Sequence, residues 1–406
     1  MDAQFAPPHY VMAKPAGALC NLTCTYCYYT EKQALYSHAG RGMTMSDDTL
    51  DAFVKQYIES QHGPSVLFTW HGGEPLMRPI TFYEKALALQ RKYANGRAID
   101  NCIQTNGTLI TADWAQFFKR NNFLVGVSID GPQRLHDHFR RSRLGRPSWR
   151  QVMQGINLLD HYGVDWNAMA VVNSLTAEAP LEFYDFFRQM GCQFLQFTPV
   201  VERFYRHPDG RHLASPIDGA VAQITDFSVS PEAWGKFCCE VFDEWVKHDV
   251  GETFVQLFDA TLAGWMGLPP SVCSLAETCG HATVLEHNGD LYACDHFVFP
   301  EFRLGNIHET PLSRLTSLPA LKKFGNDKHD LLTRECRECE FLFACHGECP
   351  RNRFAVSADG EEGHNYLCKG YRRFFSHVAP YMDFMKKCLQ NGEAPAKVMT
   401  ADISGL

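Results

Sequence analysis

The sequence predicts an α/β fold: a parallel sheet closed, or partly closed, into a six-unit barrel, followed by a smaller cysteine-rich domain. Three observations predict it. Six short apolar runs alternate with amphipathic helical stretches in the first half of the chain, which is the pattern of successive βα units. The unusual residues each follow the carboxyl end of one of those runs, the rim on which an α/β barrel builds its site. Eight of the sixteen cysteines then crowd between Cys273 and Cys368.

Strands are expected near residues 9–14, 65–70, 99–104, 123–129, 165–172 and 193–198, and helices near 46–61, 80–93, 111–121, 148–162 and 180–190. Ser46, Thr111 and Ser148 stand at helix starts, where a side-chain oxygen accepts an otherwise free backbone N–H. Asp47 and Asp48 suit the positive end of the first helix. The rim then carries Cys20–Cys27 beyond strand one, His71-Gly-Gly-Glu-Pro75 after strand two, and Gln104-Thr-Asn-Gly107 after strand three. Ser128-Ile-Asp-Gly-Pro132 ends strand four and Gln196-Phe-Thr-Pro199 ends strand six. Ordinary Gly/Pro-rich turns explain one or two of these, but not the cysteines. Residues 231–248 read as an amphipathic bridging helix, Leu285–Tyr292 as a hairpin turning at Asn288-Gly289, and the segment after 371 as helix ending in a polar tail.

Composition narrows the function classes. The 406 residues are 45% hydrophobic and 21% charged, with a net charge of −8. That describes a globular chain with more than one domain, and argues against a nucleic-acid surface. No apolar run is long enough for a membrane span, and the first residues lack the pattern of a signal peptide. A cytoplasmic location is therefore expected, where sixteen cysteines read as metal ligands in preference to disulfides.

Cys20, Cys24 and Cys27 form a C-x3-C-x2-C triplet with Tyr26 before its last member. Three thiolates are one short of a closed tetrahedral site. A four-iron cluster held this way keeps one iron open for a substrate or cofactor. The later eight, Cys273, Cys279, Cys294, Cys336, Cys339, Cys345, Cys349 and Cys368, count as two four-thiolate sites. Spacing alone leaves zinc and iron–sulfur both open, since Cys336-x2-Cys339 suits a zinc ribbon. Cys102, Cys192, Cys238, Cys239 and Cys388 sit in apolar or helical stretches without a partner motif and read as small buried hydrophobes. The basic run from Arg140 to Arg146 reads, Arg140 apart, as a solvated loop; His71, Tyr28 and Tyr29 read as pocket walls or packed side chains.

The triplet resembles the signature of the radical S-adenosylmethionine (SAM) enzymes, and the later cysteines resemble the SPASM domain with its two auxiliary 4Fe–4S clusters. Lys14-Pro-Ala, Gly-Gly-Glu-Pro, Gln-Thr-Asn-Gly-Thr, Leu124-Val-Gly-Val-Ser-Ile-Asp-Gly-Pro, Phe194-Leu-Gln-Phe and Tyr292-Ala-Cys294-Asp295 extend the likeness over nearly the whole chain, to the anaerobic sulfatase-maturating enzymes. The resemblance implies a partial (β/α)6 barrel over 1–230, a helical bridge over 231–270, a SPASM domain over 271–372 and a terminal helix and tail over 373–406. It implies Cys273, Cys279, Cys294 and Cys349 for one auxiliary cluster and Cys336, Cys339, Cys345 and Cys368 for the other. It places Tyr26, Gly72, Gly73, Glu74, Ser128, Arg140 and Val201 around SAM. Asp295 takes the position of the base. The implied reaction turns a Cys or Ser in a Cys/Ser-x-Pro-x-Arg segment of an unfolded or nascent sulfatase into Cα-formylglycine. A 5′-deoxyadenosyl radical takes the β-hydrogen, and the auxiliary clusters take the second electron. The implied partners are the sulfatase polypeptide and a small flavodoxin- or ferredoxin-type electron donor, with no nucleic acid and no membrane. The competing readings are a SPASM maturase that crosslinks a small precursor peptide and a non-catalytic metal-binding scaffold.

Overall fold

A computed structural model describes residues 9–29, 31–32, 43–207, 210–218 and 222–403. The six expected strands form as β1 (Tyr10–Ala13), β2 (Ser65–Trp70), β3 (Ala98–Thr105), β4 (Phe123–Ser128), β5 (Trp166–Val172) and β6 (Phe194–Pro199). The expected helices between them are α1 (Asp47–Ser60), α2 (Ile80–Tyr93), α3 (Ala112–Arg120), α5 (Trp149–Tyr162) and α6 (Pro180–Gln189), with an unexpected short helix, α4 (Gln133–Phe139), before α5. Later come β7 (Arg203–His207), β8 (Gly210–Leu213), β9 (Gln223–Ile224), α7 (Pro231–His248), β10 (Phe254–Val255) and α8 (Gln256–Trp265). They are followed by β11 (Ala282–Leu285), β12 (Asp290–Tyr292), β13 (Arg303–Asn306), α9 (Leu312–Leu315), α10 (Pro319–Asp330), α11 (Arg334–Arg337) and α12 (Leu342–Cys345). A hairpin of β14 (Ala355–Val356) and β15 (Glu362–His364) precedes the long α13 (Cys368–Gln390).

Two of the three expected caps form. Ser46 and Thr111 accept the backbone N–H of Thr49 and Trp114. Ser148 does not cap α5; its hydroxyl donates instead to the Arg140 carbonyl at 2.8 Å. The Asp137 carboxylate takes over, accepting both Ser148 N and Trp149 N at 2.9 Å. A carboxylate at a helix N-terminus also meets the positive end of the dipole, so the substitute loses nothing electrostatically.

Compactness cuts the chain differently from the division read along the sequence. One unit comprises residues 1–128, 137–166 and 279–326; the other comprises 129–136, 167–278 and 327–406. In the first unit β4, β3, β2 and β1 lie side by side in parallel, and β11 adds to β1, also in parallel, with Tyr10 opposite Ala282 and Ala13 opposite Leu285. β12 and β13 continue that sheet antiparallel. The expected hairpin is thus the β11–β12 pair. Its loop is one residue longer than a two-residue turn: Glu286 N donates to Asp290 O, which leaves 287–289 between them with Gly289 at φ +90°. An aromatic core of Phe53, Phe68, Trp70, Tyr83 and Phe117 fills the space under α1–α3.

In the second unit β5, β6 and β10 pair in parallel. α7 lies along α13, where Gly235 and Gly370 meet so closely that a Cβ on Gly235 falls 2.9 Å from the Gly370 Cα. Small residues at a helix crossing let the backbones approach. Trp234, Phe237, Phe242, Phe258, Phe374 and Phe375 pack around that seam. Cys192, Cys238, Cys239 and Cys388 are buried, and the half-buried Cys102 thiol donates to Thr69 Oγ1; all five remain packing residues.

Candidate active site and cluster cradles

The cysteine loop begins where β1 ends. Cys20 is buried, and its sulfur accepts Leu22 N at 3.4 Å and Asn106 Nδ2 at 3.7 Å. Donors aimed at a sulfur favour its thiolate, but burial, Glu74 and Cys27 push the Cys20 thiol up, to about 11. A bound cation would supply the positive charge that keeps this sulfur a thiolate. Asn106 also donates to Asn21 Oδ1 at 2.9 Å, and Asn21 donates to Thr108 Oγ1. This ties the loop to the Gln-Thr-Asn-Gly turn after β3.

The basic run is more than a solvated loop. Thr23 N and Thr25 N donate to the carbonyls of Arg141 and Phe139, and Arg143 Nε donates to the Cys20 carbonyl at 2.9 Å. Arg140 is buried, with its guanidinium 5.6 Å from the centre of the Tyr26 ring. The cysteine loop therefore lies along residues 139–143, with Tyr26 beside Arg140.

The glycine pair is demanded by the protein's own backbone. Gly73 N donates to Gly17 O and Glu74 N to Leu19 O, and a Cβ on Gly73 would stand 2.1 Å from the Leu19 carbonyl oxygen. Gly72 sits at φ +136°, a region side chains avoid. Glu74 is fully buried and spans to β3: Oε1 accepts Leu76 N and Thr105 Oγ1, and Oε2 accepts Asn106 N, all at 2.8 Å. Burial pushes its carboxyl up to about 7, against the pull of those three donors. The side chain braces two rim loops. Ser128 receives the Gln104 amide at 3.0 Å. Val201 is buried and lies in the second unit.

Asp295 heads the turn after β12. Its Oδ1 lies 2.6 Å from Lys14 Nζ and its Oδ2 accepts the Tyr28 hydroxyl at 2.6 Å. Lys14 is wholly buried, contacts His71 Nδ1 at 3.0 Å and lies 4.5 Å from the centre of the Tyr29 ring. Burial opposes ionisation of Asp295, but Lys14, His71 and His296 together outweigh burial and hold the carboxyl well below the usual carboxylate range. His71 Nδ1 accepts from Lys14 and from Gly72 N at 2.7 Å. Burial and then Lys14 push its imidazole down to about 3, so the ring is neutral with its proton on Nε2. Lys14 and Tyr28 flank the triplet in sequence, and the carboxylate 267 residues on from Tyr28 joins both. Lys14 was not singled out from the sequence as a site residue. The signal was there: a lysine ending a buried strand on the chemical rim.

The later cysteines divide between the units. Cys279 N donates to Gly325 O at 3.0 Å in the first unit, which also holds Cys294. In the second, Lys328 donates to the carbonyls of Cys273 and Ser274, both at 2.8 Å. His346, Gly347 and Glu348 all have positive φ and separate Cys345 from Cys349. Arg353 holds that turn, donating to the carbonyls of Gly347, His346 and Lys328. Cys336, Cys339, Cys345 and Cys368 line one cavity of about 320 Å³ with Glu335, His364 and Arg372. A void of that size lined by four cysteines has room for a four-thiolate cluster.

A radical SAM superfamily model matches residues 16–187 and an iron-sulfur cluster-binding SPASM model matches 273–340. The class is therefore that of radical SAM enzymes with a SPASM domain, on a parallel-sheet α/β core. The chain is 60% identical to a serine-type anaerobic sulfatase-maturating enzyme of Bacteroides thetaiotaomicron, covering 98% of this chain and 96% of that one. It is 32% identical to a cysteine-type enzyme of Clostridium perfringens, covering 92% and 97%. The solved structure of native anSMEcpe with bound AdoMet and Cp18Cys peptide superposes with a TM-score of 0.81 at 31% identity, covering 94% and 99%. The chain belongs to the anaerobic sulfatase-maturating enzymes. SuiB of Streptococcus suis, bound to its precursor peptide, shares only the fold, at 14% identity and a TM-score of 0.60, covering 89% and 76%. The cofactors of this architecture are SAM and three 4Fe–4S clusters.

Proposed function

We propose that the chain oxidises a serine or cysteine of a sulfatase segment to Cα-formylglycine, with Asp295 as the base. The observation that carries this is the Asp295 carboxylate bound by Lys14 and Tyr28, the two residues that bracket the cysteine loop. When bound, the clusters and SAM supply a one-electron oxidant for the substrate β-hydrogen and an acceptor for the second electron. Cys20, Cys24 and Cys27 would hold the open-cornered cluster, and Cys336, Cys339, Cys345 and Cys368 the second auxiliary one. Cys273, Cys279, Cys294 and Cys349 complete the count. Tyr26, Gly72, Gly73, Ser128, Arg140 and Val201 remain the proposed SAM contacts, and Glu74 acts by bracing the loop.

The residues' part in the chemistry is proton handling. Asp295 is a carboxylate with two occupied oxygens, each retaining a further lone pair. A substrate O–H or S–H donates there and gives up its proton as the second electron leaves. Loss of the β-hydrogen, one proton and one electron takes serine to the aldehyde directly; a cysteine gives the thioaldehyde, which water hydrolyses. Serine is the favoured target, since the relative at 60% identity is a serine-type enzyme. A small flavodoxin- or ferredoxin-type protein would deliver the electrons that start each turnover, in the cytoplasm, where sixteen thiols stay reduced. No helix among the described residues is long and apolar enough to cross a membrane.

Asp295→Asn tests the assignment. SAM cleavage should continue, while formylglycine on a Ser- or Cys-containing sulfatase peptide, read by mass spectrometry, should fall by on the order of 10²–10⁴. Undiminished formylglycine from the variant would remove Asp295 from the base role. Crosslinked peptide in place of aldehyde would favour the peptide-maturase reading.

A further inference from the structure

The β14–β15 hairpin delivers His364 into the cavity of the four thiols, with Ala355 opposite His364 in the ladder. His364 is buried, and its Nδ1 lies 3.6 Å from Cys336 Sγ and 2.9 Å from Thr333 Oγ1. Its Nε2 lies 3.9 Å from Glu335 Oε2. Thr333 is held in turn, capping α11 by accepting Cys336 N at 3.4 Å. A free thiol facing a bare ring nitrogen can donate to it. A metal-bound thiolate has no proton and can only accept, so a hydrogen bond between His364 Nδ1 and a ligating Cys336 sulfur needs the proton on Nδ1. One N–H then reaches both the sulfur and Thr333 Oγ1, in a three-centre bond.

We propose that His364 is a positioning residue that donates Nδ1–H to the Cys336 thiolate and raises the reduction potential of the second auxiliary cluster. A hydrogen bond to a cluster sulfur draws off negative charge, favouring the reduced state. Glu335, Glu338 and Glu340 line the same cavity and push the other way, with Arg372 beside them. His364 thereby offsets an acidic wall that would otherwise make the cluster a poor electron acceptor. The inference rests on Cys336 being a ligand of that cluster, as proposed above.

The test is an EPR-monitored redox titration of the anaerobically reconstituted holoenzyme, with iron and zinc counted. The native chain should hold about 12 iron, and Cys336→Ala about eight. Full iron in Cys336→Ala would sink the ligand assignment and the inference with it. In His364→Leu, at full iron, one midpoint potential should fall while the other two stay. His364→Asn, which returns an N–H at the Nδ1 place, should restore it, and His364→Gln, with its donor at the Nε2 place, should not. If His364→Leu loses iron, the Asn and Gln pair decides alone. Unchanged midpoints in His364→Leu, or rescue by Gln and not Asn, would overturn the proposal. One zinc with about eight iron in the native chain would do so as well, making Glu335, His364 and Cys368, whose ligand atoms lie within 4.8 Å of one another, a mononuclear site.

Discussion

At the scale of single residues, the site turns on a buried ammonium. Lys14 has no solvent to fall back on, and its charge is matched by Asp295 at 2.6 Å. Lys14→Met keeps the volume but leaves a carboxylate without its counterion, which costs about 3–5 kcal/mol when the pair is buried. Thermal unfolding should show that loss, and formylglycine yield should fall with it. Adding Asp295→Asn to Lys14→Met removes the orphaned charge, so the double variant should regain much of the stability and none of the product. A Lys14→Met protein that melts like the parent would show that the pair contributes nothing. Ionisable side chains packed against one another at a rim are where chemistry concentrates.

At the scale of elements, the rim loops are braced to one another, and Glu74 is the brace between β2 and β3. Glu74→Gln sets an amide N–H₂ against one of three N–H or O–H donors. A buried donor left facing another donor costs about 1–3 kcal/mol. The gap should depend on pH. Burial raises the folded carboxyl to about 7, above its unfolded value near 4.3. The parent's stability from this group is therefore full below that unfolded value and is lost as pH rises through about 7. The glutamine variant has no such loss, so its deficit at pH ~5 should narrow by pH ~8. A deficit that widens over that range would contradict the buried, protonatable brace. Much of this layer was legible in advance. Period-two and helical apolar patterns placed β1–β6 and their helices, because burial on one face leaves a local trace. The cysteines stood out because that residue type has few other uses at such spacing, whereas Asp295 was marked only by the resemblance to the sulfatase-maturating enzymes. Glu348, Lys328 and Arg353 were not legible. Lys328 and Arg353 donate to backbone carbonyls of turns remote in sequence, Glu348 accepts the side-chain amides of Asn352 and Asn365, and nothing in the spacing of charged residues marks such contacts. Ser148 misled for a related reason: the cap was supplied by Asp137, eleven residues upstream.

At the scale of the whole chain, the decisive step is long-range. β11 pairs with β1 across about 270 positions, Tyr10 to Ala282, and brings β12, Cys294 and Asp295 with it. A chain stopped at residue 270 should lack cooperative unfolding by circular dichroism and should aggregate, because the β1 edge stays unpaired and Lys14 is buried without its carboxylate. A soluble, cooperatively melting fragment would show that the early strands stand alone. Contacts of this separation are slow to form. During synthesis the cysteine loop is complete some 255 residues before β11 begins, so a ribosome-bound chain carries Cys20, Cys24 and Cys27 long before it carries Asp295, the proposed base. Insertion of β11 thus closes two gaps in one event: the β1 edge gains its partner strand, and Lys14 gains the carboxylate that neutralises it.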